Sequence, residues 1–361
     1  METRVYDLKT QYEEGLEQAA AAIREGELVI FPTETVYGIG ADAENIEAVR
    51  KIYEVKGRPQ NNPLIAHICS MEMVERLAVD ISADAYRLMD AFWPGPLTIV
   101  LKSSGLLTKE ISAGLDTIAV RMPSLDSTRE LIRRSGKVIV APSANISGRP
   151  SGTSIRECMD DFYGRVPVML DGGRCEIGLE STVVSMKGEQ CVLLRPGRVT
   201  LEMLESVVGK VILSDGILNK LDEGTRVESP GMLYKHYSPK AKVTIVKGQA
   251  GSIANAVKSM YDIEEKLGHV PVVFCQSSRI DNYSGRRTVD LGNTKLDVAH
   301  NLFYYLREAD REGITSIYFE DTDGNDIGLA IRNRIFRAAG FDILDADKEE
   351  EIEKHIACLH R

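Results

Sequence analysis

Residues 117–122 read Thr-Ile-Ala-Val-Arg-Met, and this stretch is the clearest indication of the fold. In an extended strand, alternate side chains point to opposite faces of the sheet. The even-numbered positions are apolar and suit a buried face, whereas the odd-numbered ones carry a hydroxyl, a methyl group and the guanidinium of Arg121. A methyl group between two polar side chains leaves room for a ligand, and an arginine there can hold a carboxylate bidentately. The stretch therefore predicts a sheet with one packed face and one ligand-binding face.

Strand-like and helix-like runs alternate irregularly around this stretch, up to about residue 213. Short apolar runs predict strands at 28–31, 64–68, 97–101, 117–122, 138–141, 166–170, 181–186 and 191–195, with Gly188 in a hairpin turn. Apolar residues at helical spacing predict helices at 11–25, 44–54, 71–79, 82–92, 126–135, 153–163 and 200–208. Neighbouring strands mixed with helical connections predict an α/β fold with a mixed sheet.

The alternation breaks at residues 214–242, which are rich in turn-forming residues and show no sustained period. We interpret them as a long connector between a first domain, 1–213, and a second domain, 243–361. In the second domain, strands at 243–247, 271–275 and 314–319 alternate with helices at 251–267, 296–312 and 327–339, and the acidic tail predicts a short surface helix. Strict alternation predicts a small parallel sheet.

The composition is that of an ordinary globular protein, with 361 residues of which 43% are hydrophobic and 27% charged. The sequence has no apolar run long enough for a membrane span and no apolar signal core at the N-terminus, so we expect a cytoplasmic protein. Six scattered cysteines (69, 158, 175, 191, 275 and 358) favour reduced thiols over disulfides or a zinc site. The net charge of −10 argues against broad, non-specific binding of nucleic acid, but not against binding of a small anion in a basic pocket.

Two loops carry side chains that suit a polyphosphate. The first, 56–62, reads Lys-Gly-Arg-Pro-Gln-Asn-Asn, and an extended segment would put both of its cations on one side. The second, 141–145, reads Ala-Pro-Ser-Ala-Asn and presents a hydroxyl and an amide on one face if it stays extended. Cations with hydroxyl and amide groups nearby match the charge of a phosphate and fix its oxygens. A solvated basic turn is the competing interpretation of the first loop.

Other polar segments are less specific. Residues 32–38 (Pro-Thr-Glu-Thr-Val-Tyr-Gly) follow a strand, and, taken alone, they are explained better by a strand-to-helix turn with hydroxyl or carboxylate caps than by a binding site. His67 lies in an apolar strand, where a hydrogen-bonded core histidine is commoner than a ligand. Residues 148–153 offer backbone amides and hydroxyls at a helix start, a natural position for phosphate. Ser181 and Arg195 add a hydroxyl and a cation.

Several cofactor templates do not occur in the sequence. There is no G-x-x-x-x-G-K-[ST] phosphate loop and no G-x-G-x-x-G at the start of the second domain, so its strand pattern does not predict dinucleotide binding. Residues 321–326 look like a calcium loop, but the glycine comes too early and the closing glutamate is missing.

Taken together, the motifs at 32–38, 56–59, 93–98 and 141–145 resemble those of the YrdC-like family. With residues 229–239 and a second α/β domain, the chain is similar to the long, two-domain form of that family, the L-threonylcarbamoyladenylate synthases. The family pattern of K-x-R followed by S-x-N is present as Lys56-x-Arg58 and Ser143-x-Asn145. The resemblance implies a YrdC-like twisted mixed sheet with helices, followed by a smaller C-terminal Rossmann-like parallel α/β domain.

The resemblance also implies an activity: a nucleotidyltransferase that condenses L-threonine, bicarbonate or CO2, and ATP into L-threonylcarbamoyl-AMP and pyrophosphate. A separate tRNA threonylcarbamoyl transferase complex would then modify the adenosine beside the anticodon in tRNAs that read codons beginning with A. The adenylation step itself would not require tRNA. Mg2+ would accompany ATP, with no protein-bound metal cage.

Carried over by motif, L-threonine would contact Thr35, His67, Arg121, the backbone at Ala141, and Ser181. ATP would contact Lys56, Arg58, Asn62, Thr117, Ser143, Asn145, Ser151, Arg195 and, from a linker covering the active site, Tyr234 and His236. Lys56 and Arg58 would act electrostatically on the reacting phosphates. No general base is assigned, although His67 is available, and residues 243–361 would either hold the linker or dock a partner.

Two other functions remain open from the sequence. One is an RNA-binding module without adenylation activity, against which the net acidity and the lack of a long basic stripe count. The other is carbamoyl transfer in hydrogenase maturation, where a related domain occurs together with zinc-finger segments. This chain has no C-x-x-C pair for such segments.

Overall fold

The computed structural model describes residues 1–187, 190–219 and 237–359, and of Lys187 it describes the backbone only. The described residues form two compact units. The first lies within 1–147 and 151–233, and the second comprises 148–150 and the described part of 234–361. The predicted connector falls largely on 220–236, so Tyr234 and His236 lie outside the described residues, as does the turn at Gly188.

The first unit alternates strands and helices as the sequence indicates, and the described strands are β1 Arg4–Asp7, β2 Val29–Phe31, β3 Gly38–Asp42, β4 Ile65–His67, β5 Leu97–Lys102, β6 Thr117–Arg121, β7 Ile139–Ala141, β8 Val168–Asp171, β9 Thr182–Lys187, β10 Gln190–Arg195 and β11 Val211–Leu213. The helices are α1 Tyr12–Arg24, α2 Ile46–Lys56, α3 Met71–Leu77, α4 Ala83–Phe92, α5 Asp126–Ser135, α6 Ile155–Phe162 and α7 Leu201–Val208. Their bounds lie within a few residues of the predicted ones.

The strands form one mixed sheet in the order β1-β8-β2-β3-β7-β4-β6-β5-β9-β10-β11. β4 pairs with β6 in parallel and with β7 antiparallel, while β9 and β10 form the predicted antiparallel pair. The fold prediction of a mixed α/β sheet is confirmed. The order and register place His67 at the end of β4 and Arg121 at the end of β6 next to Ile139 at the start of β7, although they come from distant parts of the chain.

The core of the first unit lies where α1 packs on the sheet. The apolar face of α1 contributes Leu16, Ala19, Ala20 and Ile23, which pack with residues of β1, β2, β8 and α5 in one buried cluster. Burial of each leucine or isoleucine contributes roughly 1.5–3 kcal/mol. The helix ends before Gly26, whose φ of 77° suits glycine. The amphipathic helix predicted at 11–25 is therefore confirmed.

The sequence analysis missed β3, where a helix was expected after the turn at 32–38. β3 pairs antiparallel with β2, so the turn joins two strands. Its sequence, Gly-Ile-Gly-Ala-Asp, has low strand propensity. The glycines are required by packing, because a Cβ on Gly40 would lie 2.7 Å from the Phe31 ring and 2.6 Å from an Ile139 methyl group. Close packing, rather than propensity, selects these residues.

The second unit contains an all-parallel sheet in the order β14-β13-β15-β12-β16. Its elements are β12 Lys242–Lys247, α8 Ala250–Lys266, β13 Pro271–Cys275, a 3-10 helix at Ser277–Tyr283, β14 Thr288–Asp290, α9 Lys295–Arg311, β15 Ser316–Glu320, α10 Gly328–Ala338, β16 Ile343–Asp345 and α11 Glu349–Leu359. The parallel sheet and the C-terminal helix are confirmed, whereas the three-residue strands β14 and β16 were not predicted. Over the described residues, no helix is long and apolar enough to cross a membrane.

Candidate active site

Lys56 joins the two loops that the sequence analysis singled out. Its ammonium group donates hydrogen bonds to the backbone carbonyls of Ser143 (2.6 Å) and Asn145. The carbonyl of Lys56 in turn accepts a hydrogen bond from the Ser147 amide at 2.9 Å. Although Lys56 is charged, it is only 1% exposed. The structure thus brings the K-x-R and S-x-N motifs together around one buried cation.

The geometry of these loops differs from the extended one that the sequence suggested. Lys56 is the last residue of α2, and Gly57 follows in the left-handed conformation with φ of 61°. Arg58 points back into its own loop, where Nη2 donates to the Pro63 carbonyl at 2.9 Å. The second loop also turns, since the Asn145 amide donates to the Ser143 carbonyl at 3.1 Å. A helix cap and a turn, not strand alternation, therefore position these side chains.

Asn62 is the most exceptional residue of the first loop. It is 3% exposed, and among the described residues its Oδ1 has no hydrogen-bond partner. A buried amide oxygen without a partner costs about 1–3 kcal/mol. Such an atom suits a donor or a cation that arrives with a ligand.

Arg121 ends β6 and is 4% exposed. Its Nη1 donates to Thr35 Oγ1 at 2.8 Å, and its Nη2 lies 2.7 Å from a carboxylate oxygen of Glu34. On a third side, Nε donates to the Gly95 carbonyl at 3.4 Å. The guanidinium is therefore held in one orientation by three groups from two segments, the turn with Glu34 and Thr35 and the chain at Gly95.

Glu34 is the counter-ion of Arg121, and its side chain is 5% exposed. Burial raises the pKa of this carboxyl group, but the charge of Arg121 and the backbone amides of Glu34 and Ser124 outweigh burial and hold the pKa below its usual value. Glu34 is therefore ionised, and the pair is neutral overall. A neutral but strongly polar pair suits a zwitterion better than a simple anion.

The turn that carries Glu34 and Thr35 is fixed by Thr33. Its hydroxyl donates to the Val36 carbonyl at 2.6 Å and lies 2.8 Å from Thr35 Oγ1. The hydroxyl-capped turn of the sequence analysis is thus present, but it leads into β3. The next strand along the sheet, β7, ends at Ala141, which is opposite Ile65 of β4.

His67 is a neutral residue of the core. It is 4% exposed, its Nδ1 lies 3.1 Å from the Ile65 carbonyl, and it pairs in register with Arg121. Burial and the charge of Arg121 lower the pKa of His67 to about 3. An imidazole with that pKa is a poor general base at neutral pH, so a hydrogen-bonding role is favoured.

Ser181 and Arg195 form a second polar cluster two strands away from Arg121. Ser181 Oγ lies 2.7 Å from the Thr98 hydroxyl of β5. Arg195 donates from Nη2 to Ser181 Oγ at 3.2 Å and from Nε to the Ser181 carbonyl at 3.0 Å. Because β5 lies between β6 and β9, Thr98 connects the two clusters.

Comparison with known proteins agrees with this arrangement. A family model described as "Telomere recombination" (Sua5, YciO, YrdC) matches residues 21–197, and one described as "Threonylcarbamoyl-AMP synthase, C-terminal domain" matches residues 199–340. A threonylcarbamoyl-AMP synthase of Pyrococcus abyssi is 43% identical over 90% of this chain and 94% of the relative. The chain belongs to the threonylcarbamoyl-AMP synthase family.

Other members of the family support this assignment. The threonylcarbamoyl-AMP synthase of Bacillus subtilis is 41% identical over 90% of this chain and 92% of its own. A crystal structure of Pyrococcus abyssi Sua5 complexed with L-threonine is 41% identical with a TM-score of 0.90, and covers 95% of this chain and 99% of the other. The prediction of a two-domain nucleotidyltransferase of the threonylcarbamoyl-AMP synthase family is confirmed. The roles of single residues stay predictions.

One predicted phosphate position in this family member is filled by the protein itself. At the start of α6, Glu157 accepts hydrogen bonds from the backbone amides of Thr153 (2.5 Å) and Ser154 (3.0 Å). The helix start therefore already has a carboxylate, which contradicts the expectation of a phosphate there. Ser151 is 0% exposed and donates to Glu180 Oε1 at 2.5 Å.

Thr117 lies at the opposite end of β6 from Arg121, on the side of the predicted ATP loop: β4 and β6 run in parallel with Ile65 opposite Ala119, so the chain that leads from Asn62 into β4 lies beside the start of β6. Thr117 begins β6, whereas Arg121 ends the same strand, about 13 Å away at the usual rise per residue. Thr117 instead lines a cavity of about 310 Å3 with Lys109, Asp116 and Ser103 among its other residues. The threonylcarbamoyl-AMP synthase fold therefore does not place Thr117 beside Arg121.

Three residues of the site were not predicted: Glu34, Thr98 and Glu180. Each partners a predicted residue, namely Arg121, Ser181 and Ser151. Glu34 had a local signal, since it is a charged residue directly after an apolar strand. Thr98 and Glu180 had none, because their roles depend on which strands are neighbours.

Proposed function

We propose that this chain makes L-threonylcarbamoyl-AMP from L-threonine, bicarbonate or CO2, and ATP, with release of pyrophosphate. The observation that carries the proposal is the Glu34–Arg121 pair with Thr35. It is a buried, oriented site for an amino acid in a family whose member from Pyrococcus abyssi has been crystallised with L-threonine.

The amino acid would bind at the end of β6. Its carboxylate would pair with Arg121, which is held rigidly enough to select a planar carboxylate. Its hydroxyl would reach Thr35 or Ser181, whose hydroxyls act both as donors and as acceptors. Neutral His67 and the backbone at Ala141 would line the threonine site and offer it hydrogen-bonding groups.

The nucleotide would bind where Lys56 meets the turn at 143–145. Lys56, Arg58 and Arg195 supply positive charge near the phosphates, and Asn62, Ser143 and Asn145 supply amide and hydroxyl groups. Thr117, Ser151, Tyr234 and His236 complete the predicted contacts. Thr117 would act from the start of β6, beside the chain that leads from Asn62 into β4, and Ser151 already donates to Glu180.

The chemistry then follows from positioning and charge. The threonine amine adds to CO2 as a carbamate, which is short-lived in water and needs a covered site. A carbamate oxygen forms a bond to the α-phosphorus of ATP, and the bond to the bridging oxygen breaks to release pyrophosphate. Lys56, Arg58 and Arg195 would stabilise the negative charge that builds up on the phosphate oxygens. Holding both reactants in place accounts for much of the remaining rate enhancement.

Mg2+ would enter with ATP and neutralise phosphate charge. It prefers oxygen ligands and keeps several waters, so it is held mainly by the phosphates. The Oδ1 of Asn62, which has no hydrogen-bond partner within the described part of the chain, and the hydroxyl of Ser143 are oxygen atoms of the kind it accepts. Among the described residues, no group of three or more His, Cys, Asp and Glu side chains is arranged to hold a metal ion.

The product would leave for a tRNA threonylcarbamoyl transferase complex, which modifies the adenosine beside the anticodon in tRNAs reading codons that begin with A. The adenylation itself needs no tRNA. We place the reaction in the cytoplasm, and the six free cysteines support that placement because disulfides form mainly in oxidising compartments.

The test is an assay of the full chain with ATP, Mg2+, bicarbonate and one amino acid at a time. We expect threonine-dependent pyrophosphate and an adenylate ester, with serine slower by about tenfold because it lacks the methyl group. Lys56→Met should abolish turnover, while Lys51→Met, which removes an exposed ion pair with Glu27, should leave it unchanged. Turnover that is equal with all amino acids would overturn the substrate, and RNA binding by a turnover-deficient chain would favour the RNA-binding alternative.

A further inference from the structure

The second unit has a crevice at the point where its parallel sheet changes direction. After β13 the chain continues to β14 on one side of the sheet, and after β15 it continues to β16 on the other side. β13 and β15 are neighbours, so their following connections diverge at the carboxyl ends. In parallel α/β sheets, ligands bind in the crevice at such a point.

A small cavity of about 30 Å3 lies at this position. Its lining includes Cys275 at the end of β13 and Gln276 after it, Glu320 at the end of β15 and Thr322 after it, and Arg279 from the 3-10 helix. The volume of about 30 Å3 holds two or three atoms, because a water molecule needs about 10–15 Å3 by the same measure. The cavity therefore accepts the end of a molecule rather than the whole of it.

The polar atoms at the cavity divide into satisfied acceptors and unsatisfied donors. Glu320 Oε1 accepts a hydrogen bond from the Tyr283 hydroxyl, and Asp321 is held by Arg332 through two hydrogen bonds. By contrast, Arg279 Nη1 and Thr322 Oγ1 are buried and, within the described residues, have no hydrogen-bond partner. Buried donors without partners are rare and costly in proteins.

Arg279 is also placed so that a ligand can reach it. Its side chain is 36% exposed although its Nη1 is buried, so one end of the guanidinium faces the cavity while the stem reaches solvent. Its nearest carboxylate oxygen, Glu320 Oε2, is 3.9 Å from Nε, too far for a hydrogen bond. The arginine therefore keeps donors for another acceptor.

We propose that this crevice binds an oxyanion, namely the carboxylate or phosphoryl end of a small molecule, through Arg279 and Thr322. Both groups would donate to the oxyanion. Of the two carboxyl groups in the lining, Asp321 is paired with Arg332, and Glu320 accepts a hydrogen bond from Tyr283, so the oxyanion would compete for Arg279 only with Glu320 Oε2 at 3.9 Å. Gln276 lies at the same strand end and offers a further amide donor. The proposal is independent of the reaction proposed for the first unit.

The test measures the reaction of each arginine in the full chain with phenylglyoxal by peptide mass spectrometry, with inorganic phosphate in one arm and acetate in the other. At saturating anion we expect modification of Arg279 to slow by about tenfold. Arg287, an exposed arginine of the same unit that pairs with Glu312, should be unaffected. Protection by phosphate alone identifies a phosphoryl ligand, and protection by both identifies a general oxyanion site.

Thr322→Val provides the matched variant, with Thr288→Val on β14 as the control outside the cavity. Thr322→Val should need about tenfold more phosphate for the same protection, whereas Thr288→Val should not. If neither anion protected wild-type Arg279, the proposal would be overturned, and the cavity would hold ordered water and not an oxyanion. Equal protection of Arg279 and Arg287 would also overturn it, since it would show an adventitious ion only.

Discussion

Glu34 in the first unit and Glu320 in the second are 6% and 9% exposed, and each lies near an arginine. Burial raises the pKa of both carboxyl groups. For Glu34 the net pKa is nevertheless lowered, because Arg121 is 2.7 Å away and equally buried. For Glu320 it stays raised, because Arg279 is 3.9 Å away and partly exposed, and its close partner is the neutral hydroxyl of Tyr283.

The comparison shows why one buried carboxyl group, that of Glu34, is kept ionised, while burial disfavours the charge of the other, that of Glu320. Glu34 is kept ionised so that it can hold Arg121 in place, whereas the raised pKa of Glu320 leaves Arg279 available to a ligand. The distance between carboxylate and guanidinium decides between these outcomes, more than burial does. Removing either arginine should therefore have very different consequences.

The largest effect is expected for Arg121→Met. It leaves the Glu34 carboxylate buried without a counter-ion, which typically costs about 3–5 kcal/mol of unfolding free energy. Arg279→Met should cost less than about 1 kcal/mol, because a partly exposed pair at 3.9 Å contributes little. Urea unfolding followed by fluorescence of Trp93, the single tryptophan, reports on the first unit. Hydrogen exchange of the β15 peptide reports on the second. If the two variants lost equal amounts of unfolding free energy, the distance between carboxylate and guanidinium would not determine the cost.

The next effect separates Glu34→Gln from Glu320→Gln. Glu34→Gln leaves Arg121 charged and uncompensated, so we expect a loss of about 2–3 kcal/mol and a KM for threonine raised about tenfold with kcat little changed. Glu320→Gln keeps an acceptor for Tyr283 and removes a charge that burial disfavours, so the second unit should be unchanged or more stable at neutral pH. A Glu34→Gln variant with wild-type KM would show that Glu34 does not position Arg121.

How much of this the sequence could predict depends on distance along the chain. The strands at 97–101 and 117–122 were predictable because runs of β-branched residues carry their own signal. The three-residue strands β2, β4 and β7 were predicted because each lies in a run of apolar residues, whereas β14 and β16 (Thr-Val-Asp and Ile-Leu-Asp) are bounded by charged residues and lack such a run. β3 was missed because two glycines, selected by packing on Phe31, weaken its strand character.

The same limit applies to the site. Motifs identified Thr35 and Arg121, but these residues are 86 positions apart, and their contact follows from the sheet order. Strand order is a long-range property that periodicity does not encode. The prediction of an extended loop at Lys56 was wrong for a local reason, since α2 ends at Lys56, two residues later than the apolar pattern indicates. Partners such as Thr98 become visible only when neighbouring strands are known.

Acidification should lower the stability of the first unit, whereas two groups of the second unit respond in opposite directions. In the first unit, His67 has a folded pKa of about 3, below that of the unfolded chain, so stability falls as the pH drops below about 6.5. Glu34, whose pKa is also lowered, adds a further loss at more acidic pH. In the second unit, the raised pKa of Glu320 contributes stability that is lost as the pH rises and regained as it falls, while the pKa of His355, lowered by burial, has the opposite effect.

Hydrogen exchange of the β6 and β15 peptides on acidification, corrected for intrinsic rates and compared between the wild type and Glu320→Gln, measures the contribution of Glu320. The slope for one proton is about 1.4 kcal/mol per pH unit at most. Because Glu320→Gln removes the group that gains stability on acidification, the β15 peptide of the variant should lose more protection than that of the wild type, while the β6 peptide is unchanged. The same pH dependence of the β15 peptide in both proteins would contradict the raised pKa of Glu320.

The smallest effect is expected at the link between the two polar clusters. Thr98→Val preserves shape but removes the hydroxyl that lies 2.7 Å from Ser181 Oγ, while Arg195 still donates to Ser181. Because one of two partners remains, we expect a loss of about 1 kcal/mol in unfolding free energy and a several-fold higher KM for threonine. The matched control is Thr244→Val on β12, which removes a hydrogen bond of 3.0 Å to Asp342. Thr244→Val should destabilise the second unit by a similar amount and leave the KM for threonine unchanged. If the control raised KM as much as Thr98→Val does, a general loss of stability, and not the position of Ser181, would set the affinity for threonine.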